Sequence, residues 1–313
     1  METKWIKFNG LGTEIIILAS LEVGEEYLLD QAKQAVQEFE QNFSRFIKGN
    51  ELDRFNSATD DKFLSSNLFV ELVKESMSIH ELTNGIFDPT IIESLESVGY
   101  NKSFSELNAN DSIIPNVPKI QESFRKRMKF EQVRINGNEI LKPRGFRIDL
   151  GGIGKGFLAD HLGSTIFKHV QNYWVSLGGD LIMSGHEKPQ EQKGWRVSVQ
   201  DPHEPSREAF SIKTNGKKLG IATSGIFKRK GISGGLNWNH IIDPRTGLPV
   251  ENNIIAVTVI TSSAVRADVL AKTVVILGQE EGLELIDKEP DSAAIIFFKE
   301  GGVAFSKHAP NFL

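Results

Sequence analysis

Apolar residues recur along this chain with two periods, and each change of period marks an element. Residues 11 to 23 read as a strand, and Glu25 to Phe46 carries Tyr27, Leu28, Ala32, Ala35, Val36 and Phe39 at helical spacing. A second helix is expected over Ser66 to Leu82, and a third, almost wholly apolar, over Ala264 to Leu277. Short strands are expected within 131 to 150, 172 to 185 and 195 to 200, then at Ala209–Ile212, Lys218–Ala222 and Ile254–Ile260. A closing hairpin joins Ala293–Phe298 to Val303–Phe305. Helices and strands mix without regular βαβ alternation, which predicts an α+β fold with mixed, largely antiparallel sheets flanked by helices. The Ser-, Asn-, Asp- and Pro-rich stretch 101 to 118 reads as a loop and a candidate boundary between two intimate lobes of one domain spanning 1–313.

The densest chemistry lies in Phe146 to Asp160, F-R-I-D-L-G-G-I-G-K-G-F-L-A-D. Phe146, Ile148 and Leu150 alternate as a half-buried strand with Asp149 on the other face. Gly151, Gly152, Gly154 and Gly156 then open a turn whose N–H groups can approach an anion, and Lys155 adds a charge at the start of the next helix. A Walker A loop is excluded, because the places of its first Gly and its Ser or Thr hold Asp149 and Gly156. A dinucleotide G-x-G-x-x-G fails as well, with Phe157 in its last position.

The 313 residues are 39% hydrophobic, enough to bury a sizeable core. A net charge of −5 argues against a nucleic-acid-binding surface, and the basic run Phe124 to Lys129 reads as a solvated helix face. Without cysteine there is no disulfide, thiolate metal site or cysteine nucleophile. The apolar run Thr13 to Ala19 is too short to span a bilayer, so the expectation is a cytoplasmic protein as written, with a removed leader or lipid anchor left open.

Four further clusters carry polar groups in turns or on helices. Thr83 to Thr90 contains Asp88 before Pro89, which is common turn chemistry. Ala222-Thr-Ser-Gly225 offers the hydroxyls of Thr223 and Ser224 on an expected turn, for phosphate or a flavin edge or merely for the turn itself. His240-Ile-Ile-Asp-Pro-Arg-Thr-Gly247 brings a candidate general base beside Ile241 and close to Arg245, a candidate phosphate partner. Asp268 suits Mg²⁺ as an oxygen ligand, or pairs with Lys272 on an exposed face.

In order, these segments resemble the ApbE family of FAD:protein FMN transferases. The matching stretches are G-L-G-T at 10 to 13, F-S-R-F-I-K-G-N-E-L-D-R-F-N at 43 to 56, N-G-I-F-D-P-T at 84 to 90 and I-D-L-G-G-I-G-K-G-F-L-A-D at 148 to 160. V-S-L-G-G-D at 175 to 180, A-T-S-G at 222 to 225, H-I-I-D-P-R-T-G at 240 to 247 and A-D-V-L-A-K-T-V-V-I-L-G at 267 to 278 complete the pattern. The resemblance implies FAD as substrate, with its pyrophosphate near Lys155 and the glycine turn. Asp149, Ile86, Phe87, Asp88, Thr223, Ser224 and Ile241 would hold other parts of the nucleotide, and Leu11 and Asn56 its flavin end. It also implies Mg²⁺ on the Gly152 carbonyl and Asp268, and transfer of FMN to a Ser or Thr of a partner protein with release of AMP. His240 is then the leading candidate base, with Asp268 as the second catalytic residue.

The family's acceptor pattern, D-x-x-[ST]-[GA]-A-[ST], does not occur in this chain, so the acceptor would be a separate protein. One position departs from the resemblance: Lys272 stands where the family usually has a metal-binding Thr, four residues after the helix carboxylate. Either its ammonium partly replaces the cation, or Mg²⁺ keeps an extra water. An FAD pyrophosphatase yielding FMN and AMP, and a non-catalytic FAD-binding protein, stand as alternatives.

Overall fold

A computed structural model describes residues 1–100, 117–188, 191, 193–226, 230–233 and 236–313. The candidate lobe boundary at 101 to 118 lies outside the described residues over 101–116. Chain contacts divide the protein instead into one unit of Met1–Phe39, Lys155–Phe227 and Asn252–Leu313, and a second of Glu40–Gly154 and Lys228–Glu251.

The first unit is built on a sheet with nine strands among the described residues. They are β1 (Glu2–Gly10), β2 (Thr13–Leu21), β3 (Tyr173–Leu177), β4 (Asp180–Lys188), β5 (Lys193–Gly194), β6 (Gly216–Gly225), β7 (Ile254–Thr261), β8 (Ala293–Phe298) and β9 (Val303–Phe305). Their order is β1-β2-β3-β4-β6-β7-β8-β9, with β5 beside β4, and each pairing is antiparallel. The expected α+β class and antiparallel sheet are therefore present. Strand β1 was not legible, because this edge strand never becomes fully buried and Trp5 on it is 63% exposed. The expected first strand, 11 to 23, contracts to β2, and Leu11-Gly12 forms the turn before it.

Successive residues of β6 serve opposite faces. Leu219 and Ile221 join Leu181, Met183, Trp195, Val197 and Ile295 in a core covered by the ribbon Arg196–Gln200/Glu208–Lys213. Gly220 faces the other way, where a Cβ would come within 2.2 Å of the Ser263 carbonyl carbon. Here the Ala264–Leu277 helix lies on the sheet, and of its 14 residues only Arg266, Lys272 and Leu277 escape burial. Each fully buried Val, Leu or Ile contributes about 1.5–3 kcal/mol, so this helix is held by burial on nearly all sides.

The second unit centres on aromatic packing. Phe55 meets Phe63, Phe69 and Phe146 edge to face, with ring centroids 5.3, 5.2 and 6.4 Å away. The Asn67–Leu82 helix starts where the sequence places it, with the Ser66 hydroxyl accepting the Phe69 N–H at 3.2 Å. Of the strand content expected within 131–150, only Arg134–Asn136 and Glu139–Leu141 form; they pair with each other, and Glu139–Leu141 also pairs with Lys62–Leu64. Phe146 to Leu150 joins no sheet among the described residues, although Phe146, Ile148 and Leu150 are buried as the alternation predicts.

Candidate active site

In the first unit, four charged groups gather on the helix-covered face of the sheet. Gly178 and Gly179, with φ of 69° and 98°, make the tight turn that puts Asp180 at the head of β4. Asp180 is 3% exposed and receives a hydrogen bond from the Lys155 ammonium, on the first turn of the Gly154–Ser164 helix. Asp268, 1% exposed, takes the Lys272 ammonium on Oδ1, while its Oδ2 is buried without a hydrogen-bond partner among the described residues. The pair therefore forms, but inside the protein rather than on the exposed face that i,i+4 spacing suggested. Burial, and next the Asp268 charge, push the Asp180 carboxyl above the usual Asp range, while Lys155 and Lys272 pull it back.

The two helices bearing these groups are fastened together. Asp160, on the Gly154–Ser164 helix, accepts the Ser263 hydroxyl at 2.7 Å and the N–H groups of Ala264 and Val265 at 3.1 and 2.9 Å. It thereby caps the N-terminus of the helix that carries Asp268. Gly156 lets the backbones meet, since a Cβ there would stand 2.7 Å from the Ala264 carbonyl oxygen.

Leu11 sits in the same unit with φ 55°, beside Gly12 at 67°, as a left-handed two-residue hairpin turn. For a Leu this conformation costs about 1–2 kcal/mol and marks the turn as a place where strain is tolerated. Thr223 and Ser224 depart from expectation, because they continue strand β6 instead of forming a turn. Their hydroxyls consequently point to opposite faces, with Thr223 bonded to Thr258 at 2.8 Å and Ser224 on the Gly220 side. Strong pairing with the β-branched strand β7 overrides the local turn chemistry of the Thr-Ser-Gly run.

In the second unit, side chains replace the missing strand partner of Phe146–Leu150. The Asn56 amide receives the Ile148 N–H and donates to the Ile148 carbonyl, both at 2.9 Å. Asp149 N–H donates to the Pro89 carbonyl at 2.8 Å. The Asp149 carboxylate accepts Gly151 N–H at 3.0 Å and pairs with Arg45 at 3.0 Å, both side chains 8% exposed. Asn56 and Asp149 thus shape the glycine turn. Phe87 reaches the same turn, 3.6 Å from where a Cβ of Gly152 would lie, and Ile86 precedes it half-buried.

Asp88 is committed as well. Its Oδ1 accepts the N–H and hydroxyl of Thr90 at 2.8 and 2.6 Å, and its Oδ2 accepts Arg127 at 2.8 Å. Arg127, read from sequence as part of a solvated basic face, turns inward over the Phe124 ring at 3.6 Å. His240 is half-buried in a bend held by Asn239, whose amide donates to the Val250 carbonyl and accepts the Ile241 N–H, both at 3.0 Å. Ile241 is buried, whereas Arg245 folds back on Asp243 at 2.9 Å rather than standing open for phosphate.

Sequence reasoning left Asp180, Asp160, Arg45 and Arg127 off the candidate site. Asp180 was visible only as the end of a Leu-Gly-Gly-Asp turn and Asp160 only as the last residue of the glycine-rich stretch. The partners of all four are distant in sequence, by 25 to 105 residues for Asp180, Asp160 and Arg45.

The ApbE family profile matches residues 11–297. The chain belongs to the ApbE family. A Vibrio cholerae FAD:protein FMN transferase is 29% identical over 267 residues, covering 83% of this chain and 76% of that protein. An Escherichia coli K12 protein of the same name is 29% identical over 286 residues, covering 87% and 77%. Among solved structures, the flavin transferase ApbE from Vibrio cholerae superposes with a TM-score of 0.83 at 25% identity, over 100% of this chain and 99% of that one. The ApbE protein of Thermotoga maritima shares the fold with a TM-score of 0.86 at 23% identity, over 99% of each chain. Among the described residues no helix is long and apolar enough to cross a membrane, and no group of three or more His, Asp or Glu side chains is placed to hold a metal.

Proposed function

We propose that this protein is an FAD:protein FMN transferase acting on a Ser or Thr hydroxyl of a separate acceptor protein that carries a D-x-x-[ST]-[GA]-A-[ST] type sequence. The observation that carries the proposal is the pairing of the buried carboxylates Asp180 and Asp268 with the half-buried Lys155 and Lys272, assembled on an ApbE frame. Phosphoryl transfer asks mainly for positioning and for neutralisation of charge on phosphate oxygens, and needs no protein nucleophile. The acceptor oxygen forms a bond to the FMN phosphorus, the bond from that phosphorus to the bridging oxygen breaks, and AMP leaves with the bridging oxygen. His240 is the candidate base for the hydroxyl proton. Lys155 supplies positive charge to the pyrophosphate.

The donor set fits a divalent cation in part. The buried Oδ2 of Asp268 is a hard oxygen in need of a cation, whereas Oδ1 already carries Lys272. When bound, Mg²⁺ would act as a Lewis acid on the pyrophosphate oxygens. Asp268 would be its carboxylate ligand, and the Gly152 carbonyl is the second ligand the family resemblance implies. Leu11, Asn56, Ile86, Phe87, Asp88, Asp149, Thr223, Ser224 and Ile241 keep their proposed nucleotide roles, with Asn56, Asp88 and Asp149 acting through the backbone they hold.

Incubation with FAD, Mg²⁺ and an acceptor peptide, followed by mass spectrometry, tests the proposal. Flavin on the peptide is expected, with loss of at least about 100-fold in rate for Asp268→Ala. Free FMN and AMP with an unmodified peptide would show a pyrophosphatase instead, and unchanged FAD a binding protein.

A further inference from the structure

Two buried carboxylates and two ammonium groups stand together in the first unit, and their formal charges cancel. Asp180 and Asp268 sit in mutual repulsion, and Lys155 and Lys272 each oppose it. Lys272 is held from two sides, donating to Oδ1 of Asp268 and, at 3.4 Å, to the Asp268 carbonyl one helical turn back. Its side chain is only 20% exposed. A solvated lysine that merely happens to be four residues along would extend into water. Here the four-carbon stem is folded down so that the ammonium lies on a carboxylate whose other oxygen is buried and has no hydrogen-bond partner among the described residues.

We infer that Lys272 is a resident cation of this site, doing in part what a divalent ion would do. A divalent ion arriving at Asp268 meets an ammonium already on the same carboxylate. It must either displace Lys272 or accept close repulsion from it in a poorly solvated place, where charge interactions are strong. The chain therefore binds divalent metal weakly in the absence of nucleotide. Conversely, a pyrophosphate entering beside Lys155 and Lys272 meets two ammonium donors in a cluster whose own charges balance, so its binding does not wait on added metal. That this pyrophosphate belongs to FAD rests on the function proposed above.

Two measurements test this. Mn²⁺ binding to the nucleotide-free protein, followed by loss of the free-ion electron paramagnetic resonance signal, is compared between the wild type, Lys272→Met and Lys272→Thr. Removal of the ammonium is expected to tighten Mn²⁺ binding about 10-fold or more in both variants, and more in Lys272→Thr, which also offers an oxygen. Wild-type binding as tight as in both variants overturns the inference. In the second measurement, FAD binding to the wild type is followed by quenching of flavin fluorescence in EDTA and in Mg²⁺. Equal affinity in the two, within about 3-fold, supports a resident cation. Binding in Mg²⁺ that disappears in EDTA overturns it while leaving the flavin function intact. Absence of FAD binding in both overturns the flavin function, and the Mn²⁺ comparison alone then decides the role of Lys272.

Discussion

Asp160 is the residue whose loss should reveal how the charged cluster is held in place. Replacing it by Ala removes an acceptor of three hydrogen bonds, two of them from the Ala264 and Val265 N–H groups at the start of a buried helix. Both residues are buried, at 0% and 4% exposure, so neither N–H gains a water in exchange. An unsatisfied buried donor costs about 1–3 kcal/mol, and loss of a charge at a helix N-terminus adds about 0.3–1 kcal/mol. Partial relaxation of the turn offsets some of this, and Asp160→Ala should therefore lose about 3–5 kcal/mol. Asp160→Asn keeps one oxygen to accept from the helix and should lose about 1–2 kcal/mol. Urea unfolding followed by tryptophan fluorescence suits the test, because Trp174 and Trp195 lie 5.6 Å apart in the same unit. An Asp160→Ala variant within about 1 kcal/mol of the wild type, or an Asn variant as damaged as the Ala one, would refute the capping role.

Other perturbations test separate parts of the molecule. Arg45→Ala leaves Asp149 buried without its cation and should cost about 3–5 kcal/mol in chemical denaturation, whereas the double change Arg45→Met with Asp149→Leu should recover most of that loss. Burial, and next the charge of Asp160, push the Tyr173 phenol up to about 12 from its ordinary value of 10.0. The fold holds the neutral phenol, so this contribution is intact below pH 10 and is lost as pH rises towards about 12, amounting to roughly 2–3 kcal/mol. Ultraviolet difference titration of the wild type against Tyr173→Phe should show one late-ionising phenol missing in the variant, and stability of the variant should not share the fall.

Much of this architecture is legible in sequence where the signal is local. The Ala264–Leu277 helix and the Ala293–Phe298/Val303–Phe305 hairpin occur as expected, since each combines a consistent period with clear ends. Strand β1 escapes because its inner face carries only Ile6 and Phe8 as apolar side chains, both half-buried, with Lys4 on the same face and Trp5 on the exposed one. Phe146–Leu150 has the alternation of a strand but finds its partners in Asn56, a side chain 92 residues away. Thr223 and Ser224 look like a turn until pairing with β7 outweighs them. At the site, residue types were legible whereas commitments were not. Nothing in the spacing of Asp88 or Asp149 tells that each already serves an arginine.

The order in which the ribosome releases this chain bears on how its first unit can form. Strands β1 and β2 emerge more than 200 residues before β7 and β8, which continue the same sheet and start at Ile254. Until then β6 lacks its partner β7, and the faces of β4 and β6 lack the Ala264–Leu277 helix that packs on them. Nascent or truncated chains ending before that helix should consequently be the aggregation-prone species, and the ones that recruit chaperones during synthesis.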